Sequence, residues 1–402
     1  MIEQFHVQNY KALHEVRLNL TPLHLLIGPN DSGKTSLLEA LAALCRSVDV
    51  DLVEAFPGAW DGADLVTGRD PQREIRLAAD FDSDLHYSID ISFLRTGKVV
   101  KLTDEQIVTS VGEWRLSKQS RQRWNKTITK VAAVERSPDA TRQGEGALTA
   151  QAFDDVRSAL SGVQFFRWNP RLLALPAALD PQAGFAMEAS GFGLARALAE
   201  IVLYDRGLFQ TIEDRFRDFF PHIQTIRIAS TSAFDTQHKR DELVPMLSKQ
   251  NGHEIRILFR GHTEDVPASQ LSEGVLLVLA YLTILYAPNP PRLLLIEEPE
   301  NGMHPARLEQ IIGLLRELIA KQDHTQVVLT SHSPYVVDQF QPEEVTLCYR
   351  TDAGNIAVER LSESETVRRE GRIFSLGEIW SGRDDHILNG NQTIPETVGT
   401  QP

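Results

Sequence analysis

Cysteine is scarce in the 402-residue sequence. Cys45 and Cys348 permit at most one disulfide, which excludes a disulfide-stapled scaffold and makes a reducing, cytoplasmic setting the expectation. Long apolar runs are missing as well. The longest, Val275 to Ala287, covers 13 residues with Thr283 inside it; a bilayer helix needs about 20, so a buried helix is expected there and no membrane span. The opening Met1-Ile2-Glu3-Gln4-Phe5-His6 lacks the basic stretch and apolar segment of an export signal. Positive charge is not in surplus: 41 Lys and Arg stand against 55 Asp and Glu, a net charge of −14. That excludes a uniformly basic nucleic-acid coat and leaves room only for a local basic patch. There is no internal repeat and no sustained heptad array, so no rod-like coiled coil is expected between the two halves. What remains is 42% hydrophobic and 24% charged, with 25 Gly and 20 Pro. Such a composition is that of a globular chain with enough length for a large core in two or three folding units.

Periodicity sketches the elements. Glu3 to Tyr10 and Glu15 to Leu20 alternate apolar and polar residues, and Leu23 to Ile27 is a compact apolar run ending at Gly28. Leu37, Leu38, Leu41 and Leu44 then recur at helical spacing. The stretch Glu74 to Trp114 alternates again and predicts a β-rich lobe, while Ser137 to Thr149 reads as an exposed loop or linker. Gly193 to Phe220 predicts a helix, and Gln224 to Ala229 and Glu254 to Phe259 predict strands. The last third alternates a helix (Ser272 to Tyr286), a buried strand (Arg292 to Ile296), an amphipathic helix (Pro305 to Lys321) and another buried strand (Gln326 to Thr330). This rhythm predicts an α/β fold with a parallel sheet covered on both faces.

Four motifs carry chemistry. Gly28-Pro29-Asn30-Asp31-Ser32-Gly33-Lys34-Thr35 fits G-x-x-x-x-G-K-[ST] between a predicted strand and helix. Its glycines let backbone N–H groups surround phosphate oxygens, Lys34 would reach the β- and γ-phosphates, and the Thr35 hydroxyl would ligate Mg²⁺. The alternative is a glycine-rich turn that only caps a helix. Next, the strand Leu293-Leu294-Leu295-Ile296 runs into Glu297-Glu298-Pro299-Glu300, placing acids at the carboxyl end of a parallel strand. One acid there can support the Mg²⁺ shell while the next polarises a water; otherwise they simply begin a solvated turn. His332, in Thr330-Ser331-His332-Ser333, tips another buried strand, where it would donate to a γ-phosphate or serve only as a structural histidine. Finally, Leu271-Ser272-Glu273-Gly274 precedes the apolar helix, with Ser272 as a plain N-cap or as part of an anion-binding helix end.

In this order the motifs resemble the ATP-binding-cassette superfamily: Walker A at 28–35, signature at 271–274, Walker B at 293–298 and switch histidine at 332. The segments Phe5-His6-Val7-Gln8-Asn9-Tyr10-Lys11, Glu298-Pro299-Glu300-Asn301-Gly302-Met303-His304-Pro305 and Thr330-Ser331-His332-Ser333-Pro334 resemble its SMC, RecF and OLD-like branch, in particular stand-alone AAA family ATPases. The resemblance covers residues 1–45 and 265–350. It implies a P-loop core with a mixed or parallel sheet, split into 1–48 (Walker A) and 263–402 (signature, Walker B, switch histidine and tail). Between them would lie a β-rich lobe with a basic segment at 49–165 and a helical and strand insertion at 166–262. It also implies that Gly28, Asn30, Ser32, Gly33, Lys34, Thr35 and Ser36 hold ATP, that Thr35 and Glu297 serve Mg²⁺, that Glu298 is the general base, and that His332 and Lys34 act on the γ-phosphate. Ser272 and Gly274 would close over ATP held by a second copy, giving an ATP-sandwiched homodimer. Three positions depart from the pattern. Glu297 replaces the usual Asp, Glu273 stands where transporters have Gly, and the glutamine-bearing loop has only Gln164 as a candidate.

The middle of the chain adds one basic run. Arg115, Lys118, Arg121, Arg123, Lys126, Lys130 and Arg136 stand against Glu135 alone, with Trp114 and Trp124 interleaved. Such a run is either a solvated face or a grip on a nucleic-acid backbone with an aromatic stacked on a base. The reading implied overall is an ATP-gated dimeric switch in DNA repair or anti-phage defence, binding DNA or controlling a partner nuclease. A nucleotide-dependent sensor with little hydrolysis is the alternative. A transporter subunit fits poorly with the long stretch between Lys34 and Ser272. An OLD-type nuclease would need a further acidic domain, where only Asp384-Asp385 in a short polar tail is found.

Overall fold

A computed structural model describes residues 1–82, 84–116, 125–133, 144–146, 150–179, 185, 187–239, 242–322, 324–371 and 373–381, with the backbone alone at 133, 144–146, 235–239, 242–244 and 249. From the amino end, the alternating segments become β1 (Ile2–Tyr10) and β2 (Leu13–Asn19), and the apolar run becomes β3 (Leu23–Ile27). The first two belong to a different sheet from the third. β1 and β2 join β4 (Ile75–Phe81), β5 (His86–Phe93), β6 (Val100–Thr109), β7 (Gly112–Leu116) and β8 (Gly144–Gly146) in an antiparallel sheet of order β2-β1-β4-β5-β6-β7-β8. Residues 144–146, read from sequence as loop, therefore add an edge strand, pairing Trp114 with Gly146.

β3 enters the second sheet, which is completed by β9 (Val163–Phe166), β13 (Leu293–Glu297), β14 (Gln326–Ser331), β15 (Val345–Arg350) and β16 (Ile356–Arg360), in the order β16-β15-β3-β14-β13-β9. All its neighbours are parallel except β15 and β16. Its central strands are buried on both faces, as near-continuous apolar sequences require. Leu26, Leu293, Leu295 and Val328 point into one core, shared with the helix Lys34–Arg46 and the first sheet. Leu25, Ile27, Leu294, Ile296, Val327 and Leu329 point into another, shared with the helices Leu194–Tyr204, Glu273–Leu285 and Pro305–Lys321. The α/β architecture with a covered parallel sheet is as expected from the sequence.

Two further features differ from expectation. The helix predicted over Gly193 to Phe220 is two helices, Leu194–Tyr204 and Arg206–Phe219, because Asp205 leaves helical geometry and its carboxylate accepts from the N–H groups of Gly207 and Leu208. The predicted strands at 224–229 and 254–259 are only the base of a long hairpin of β10 (Ile223–Lys239) and β11 (Glu242–Phe259). At about 3.3 Å per residue each strand reaches roughly 55 Å. Ile223, Ile226, Ile255 and Ile257 anchor the base in the second core, and β12 (Val266–Pro267) pairs with β11 just before Ser272.

His24 on β3 is fully buried between the Thr21 and Thr346 hydroxyls, 3.1 and 3.0 Å from its ring nitrogens. Burial, aided by the charge of Arg360, holds its pKa down to about 3 from 6.5. An imidazole with a depressed folded pKa takes up its proton on unfolding, so stability is complete above pH 6.5 and falls as the pH drops toward 3. Denaturant melts at pH 7.5 and 5.0 are expected to show His24→Gln losing about 2 kcal/mol less than wild type over that interval. Parallel losses in the two proteins would refute this account.

Candidate nucleotide site

Parallel pairing decides what meets at the carboxyl edge of the second sheet. Ile27 lies opposite Ser331, Glu297 opposite Thr330, and Phe166 opposite Ile296. The residues that follow, Gly28, His332, Glu298 and Arg167, are therefore side by side, where open α/β sheets bind ligands. A polar cleft of about 530 Å³ lies there, lined by Ala12, residues 30–36, Arg167, Glu297, Glu298, Thr330, His332 and Arg350.

The loop that begins the cleft is shaped by close backbone approach. Gly28 has φ +140°, and a Cβ on it would lie 2.0 Å from the Cys348 carbonyl oxygen. Asp31 and Gly33 also take positive φ, 65° and 87°, which turns the chain into the helix at Lys34. Arg350 braces the loop, donating to the Asp31 and Gly354 carbonyls at 3.1 and 2.8 Å. The Lys34 ammonium donates to the Gly28 and Pro29 carbonyls, both at 2.8 Å.

Thr35 and Glu297 meet directly, the hydroxyl donating to Oε1. The other Glu297 oxygen is buried without a hydrogen-bond partner and faces the Arg167 guanidinium at 3.4 Å. Among the described residues no cluster of three His, Cys, Asp or Glu could hold a metal. A threonine hydroxyl beside one carboxylate with a spare oxygen does fit Mg²⁺, which takes few protein ligands and completes its octahedron with phosphate and water.

Glu298 has φ +50°, a left-handed conformation that costs a residue with a Cβ about 1–2 kcal/mol. Its N–H offsets this by donating to the Thr330 carbonyl and hydroxyl at 3.1 and 3.2 Å. The turn aims its carboxylate between two partners: Asn301 Nδ2 donates to Oε2 at 2.6 Å, and His332 Nε2 lies 3.3 Å from Oε1. Glu300 accepts from the Ser331 hydroxyl and the His332 N–H at 2.7 and 2.8 Å.

The structure thus gathers Asn30, Ser32, Gly33, Lys34, Thr35, Ser36, Glu297, Glu298 and His332 around one cleft, with Gly28 beneath it. Ser272 and Gly274 do not line it. Ser272 is exposed at the start of the helix Glu273–Leu285 and makes no capping hydrogen bond, so the N-cap reading of its hydroxyl fails. This helix end packs instead on the loop after β13; a Cβ on Gly302 would sit 3.0 Å from Glu273 Oε2. Gln164 is mid-strand, opposite Leu294, and the edge position belongs to Arg167. Arg167, Arg350, Asn301 and Glu300 were not singled out from sequence; only the apolar strand before Arg167 and the Glu-Pro-Glu-Asn run signalled three of them.

The basic run is corrected in part. Trp114 is buried and packs edge-on against Phe153 at 5.0 Å, so it cannot stack on a base. Arg115 pairs with Asp104 and Lys130 with Asp51. Lys118, Arg121, Arg123, Trp124 and Arg136 lie outside the described residues, as does Asp384-Asp385. No described helix is long and apolar enough to cross a membrane.

A family model, AAA_21, described as "AAA domain, putative AbiEii toxin, Type IV TA system", matches residues 23–338. No curated protein matches the chain. Solved structures to which the chain is similar include an SmcHead bound to the C-winged helix domain of ScpA (12% identity, TM-score 0.49, covering 89% of this chain and 96% of that one). Another is the SMC head domain from Thermotoga maritima (12%, 0.41, covering 89% and 98%). A third is an Smc head domain with an extended coiled coil bound to the C-terminal domain of ScpA, derived from Pyrococcus furiosus (10%, 0.46, covering 92% and 99%).

Two glycines separate backbone strain from collision. Gly97 has positive φ with open space around it, whereas Gly28 meets the Cys348 carbonyl. Gly28→Ala is expected to lower the melting midpoint by about 5 °C or more, and Gly97→Ala by about half that or less. Equal shifts in a thermal scan would show that the close approach does not matter.

Proposed function

The chain belongs to the AAA_21 family, which bears out the ABC-superfamily resemblance of its motifs, and from that premise we propose that it hydrolyses ATP with Mg²⁺ as a dimeric molecular switch. The observation that carries the proposal is the convergence of Lys34, Thr35, Glu297, Glu298 and His332 on one cleft edge. ATP enters by exchange. Its β- and γ-phosphate oxygens take over the Lys34 ammonium from the Gly28 and Pro29 carbonyls, and the N–H groups at the helix start point at the same oxygens. Thr35 and Glu297 would hold Mg²⁺, which would neutralise charge on the phosphate oxygens.

Glu298 accepts the proton of a water as the water oxygen bonds to the γ-phosphorus. The bond from that phosphorus to the bridging oxygen breaks, and its electron pair leaves with ADP. Asn301 keeps the Glu298 carboxylate aimed, and His332, beside Glu298, would donate to the γ-phosphate as charge develops. Ser272, exposed and outside its own cleft, is suited to contact a nucleotide held by a second copy, which would make the closed dimer the ATP-bound state.

The switch acts on a separate effector chain in this reading. A role in defence is supported by the family's description, which names a putative toxin of a type IV toxin–antitoxin system. A sensor with little turnover is the second reading, favoured by the direct Thr35–Glu297 bond and the longer Glu297 side chain.

Steady-state phosphate release tests the assignment. Lys34→Ala is expected to abolish nucleotide binding, and Glu298→Gln to keep binding while slowing turnover at least about a hundredfold and accumulating an ATP-dependent dimer in sedimentation. Wild-type turnover in both variants would dismiss the site. ATP-dependent dimerisation of the wild type with no phosphate release would favour the sensor.

A further inference from the structure

Behind the cleft, three buried polar atoms have no hydrogen-bond partner: Glu300 Oε2, the Tyr281 hydroxyl and the Trp168 indole nitrogen. The last two are neighbours, and the loop that carries Glu300 packs on the helix of Tyr281: a Cβ on Gly302 would sit 3.2 Å from Leu277 Cδ1, one turn before Tyr281. The Trp168 and Tyr281 rings meet edge-on at 4.5 Å, and Tyr281 is 1% exposed. Burial, and after it the negative charge of Glu300, raises the Tyr281 hydroxyl well above the ordinary tyrosine range, so it remains a donor. Two donors and a carboxylate acceptor are a complementary set, yet in this conformation none is paired. Each such group is costly to bury, and a folded chain seldom leaves several together without a use for them.

The other oxygen of Glu300 is fully engaged. The Ser331 hydroxyl donates to it at 2.7 Å and the His332 N–H at 2.8 Å, while the Ser333 N–H donates to the Ser331 hydroxyl at 2.9 Å. Glu300 therefore fixes the backbone that carries the His332 ring, 3.3 Å from Glu298. Tyr281 lies on the helix Glu273–Leu285, about two and a half turns beyond Ser272. Trp168 adjoins Arg167, at the cleft edge.

Resting on the hydrolytic reading above, we propose that Glu300 is the positioning residue of the switch segment, and that its free oxygen is the latch point for the Tyr281 hydroxyl when ATP closes the site. The hydroxyl donates to Oε2 once the helix shifts against the loop after β13, and no proton leaves either group. Pairing removes two unsatisfied groups at once, so the closed arrangement is favoured by the same burial that makes the open one costly. The latch ties the position of the helix that begins at Ser272 to the placement of His332.

Two variants test the two halves. Tyr281→Phe keeps the ring against Trp168 and deletes only the unpaired oxygen, so its melting midpoint should equal or exceed that of wild type. Its kcat is expected to fall about tenfold with the ATP Kd within twofold, and an unchanged kcat would overturn the latch. Glu300→Ala is expected to speed amide hydrogen exchange at His332 at least tenfold without added nucleotide, whereas Glu300→Gln, which retains an accepting oxygen, keeps it slow. Slow exchange in Glu300→Ala would overturn the positioning role. Should the wild-type protein release no phosphate, the hydrolytic reading falls and the latch with it, while the exchange measurement still decides the role of Glu300.

Discussion

The parallel register of β3, β14, β13 and β9 is the constraint on which the rest of the molecule depends. Sliding one strand by a residue would move every side chain on it to the opposite face. Here both faces are buried, so a slip would drive Leu25 and Ile27 into the core that Leu26 fills, and likewise along β13 and β14. Apolar packing far from any polar group therefore decides that Gly28, His332, Glu298 and Arg167 gather along one sheet edge. The cleft is a by-product of core packing, and its precision is inherited from it.

Departures from ordinary backbone chemistry concentrate at that same edge. Glu298 occupies a left-handed conformation, Gly28 accepts the Cys348 carbonyl where no side chain fits, and Asp31 takes positive φ within the loop. Two of the three are held by bonds from elsewhere: Thr330 receives the Glu298 N–H, and Arg350 grips the Asp31 carbonyl. Strain of this kind persists only where the surroundings over-determine it. The rigid sheet below and the β15–β16 pair beside the loop supply that, leaving little freedom for the loop to relax.

Much of this was legible in the residues. Leu23–Ile27 and Pro305–Lys321 have the bounds read from apolar spacing, because each is decided by its own local pattern. Arg167 was not legible: its place beside Glu297 follows from pairing between β9 and β13, strands far apart in sequence. The long hairpin was under-read because its outer half, Ser230 to Gln250, is mostly polar and is held by backbone pairing rather than apolar alternation. Trp114 shows a different failure. On β7 it points inward with Leu116 while Arg115 points out to Asp104, an alternation visible in the sequence but outweighed there by the surrounding positive charge.

The loop around Lys34 shows what nucleotide binding would have to overcome. Its ammonium is already satisfied by two carbonyls, and the Thr35 hydroxyl by Glu297. Binding is then an exchange of partners, in which each new bond contributes only its surplus over the one it replaces. For the lysine the surplus is large, because a phosphate oxygen carries charge and a carbonyl does not. For Thr35 it is small, since a carboxylate gives way to a metal that the same carboxylate also serves. A diphosphate satisfies Lys34 nearly as well as a triphosphate, so on the proposed chemistry discrimination falls to the groups that only a third phosphate reaches. Those are Glu298 and His332, positioned by the turn at Glu298 with Asn301 on its carboxylate and by the Glu300 carboxylate on the His332 N–H. Recognition of the γ-phosphate and its removal would then depend on one set of bonds, which gives a physical reason for Glu298 to keep a costly backbone conformation.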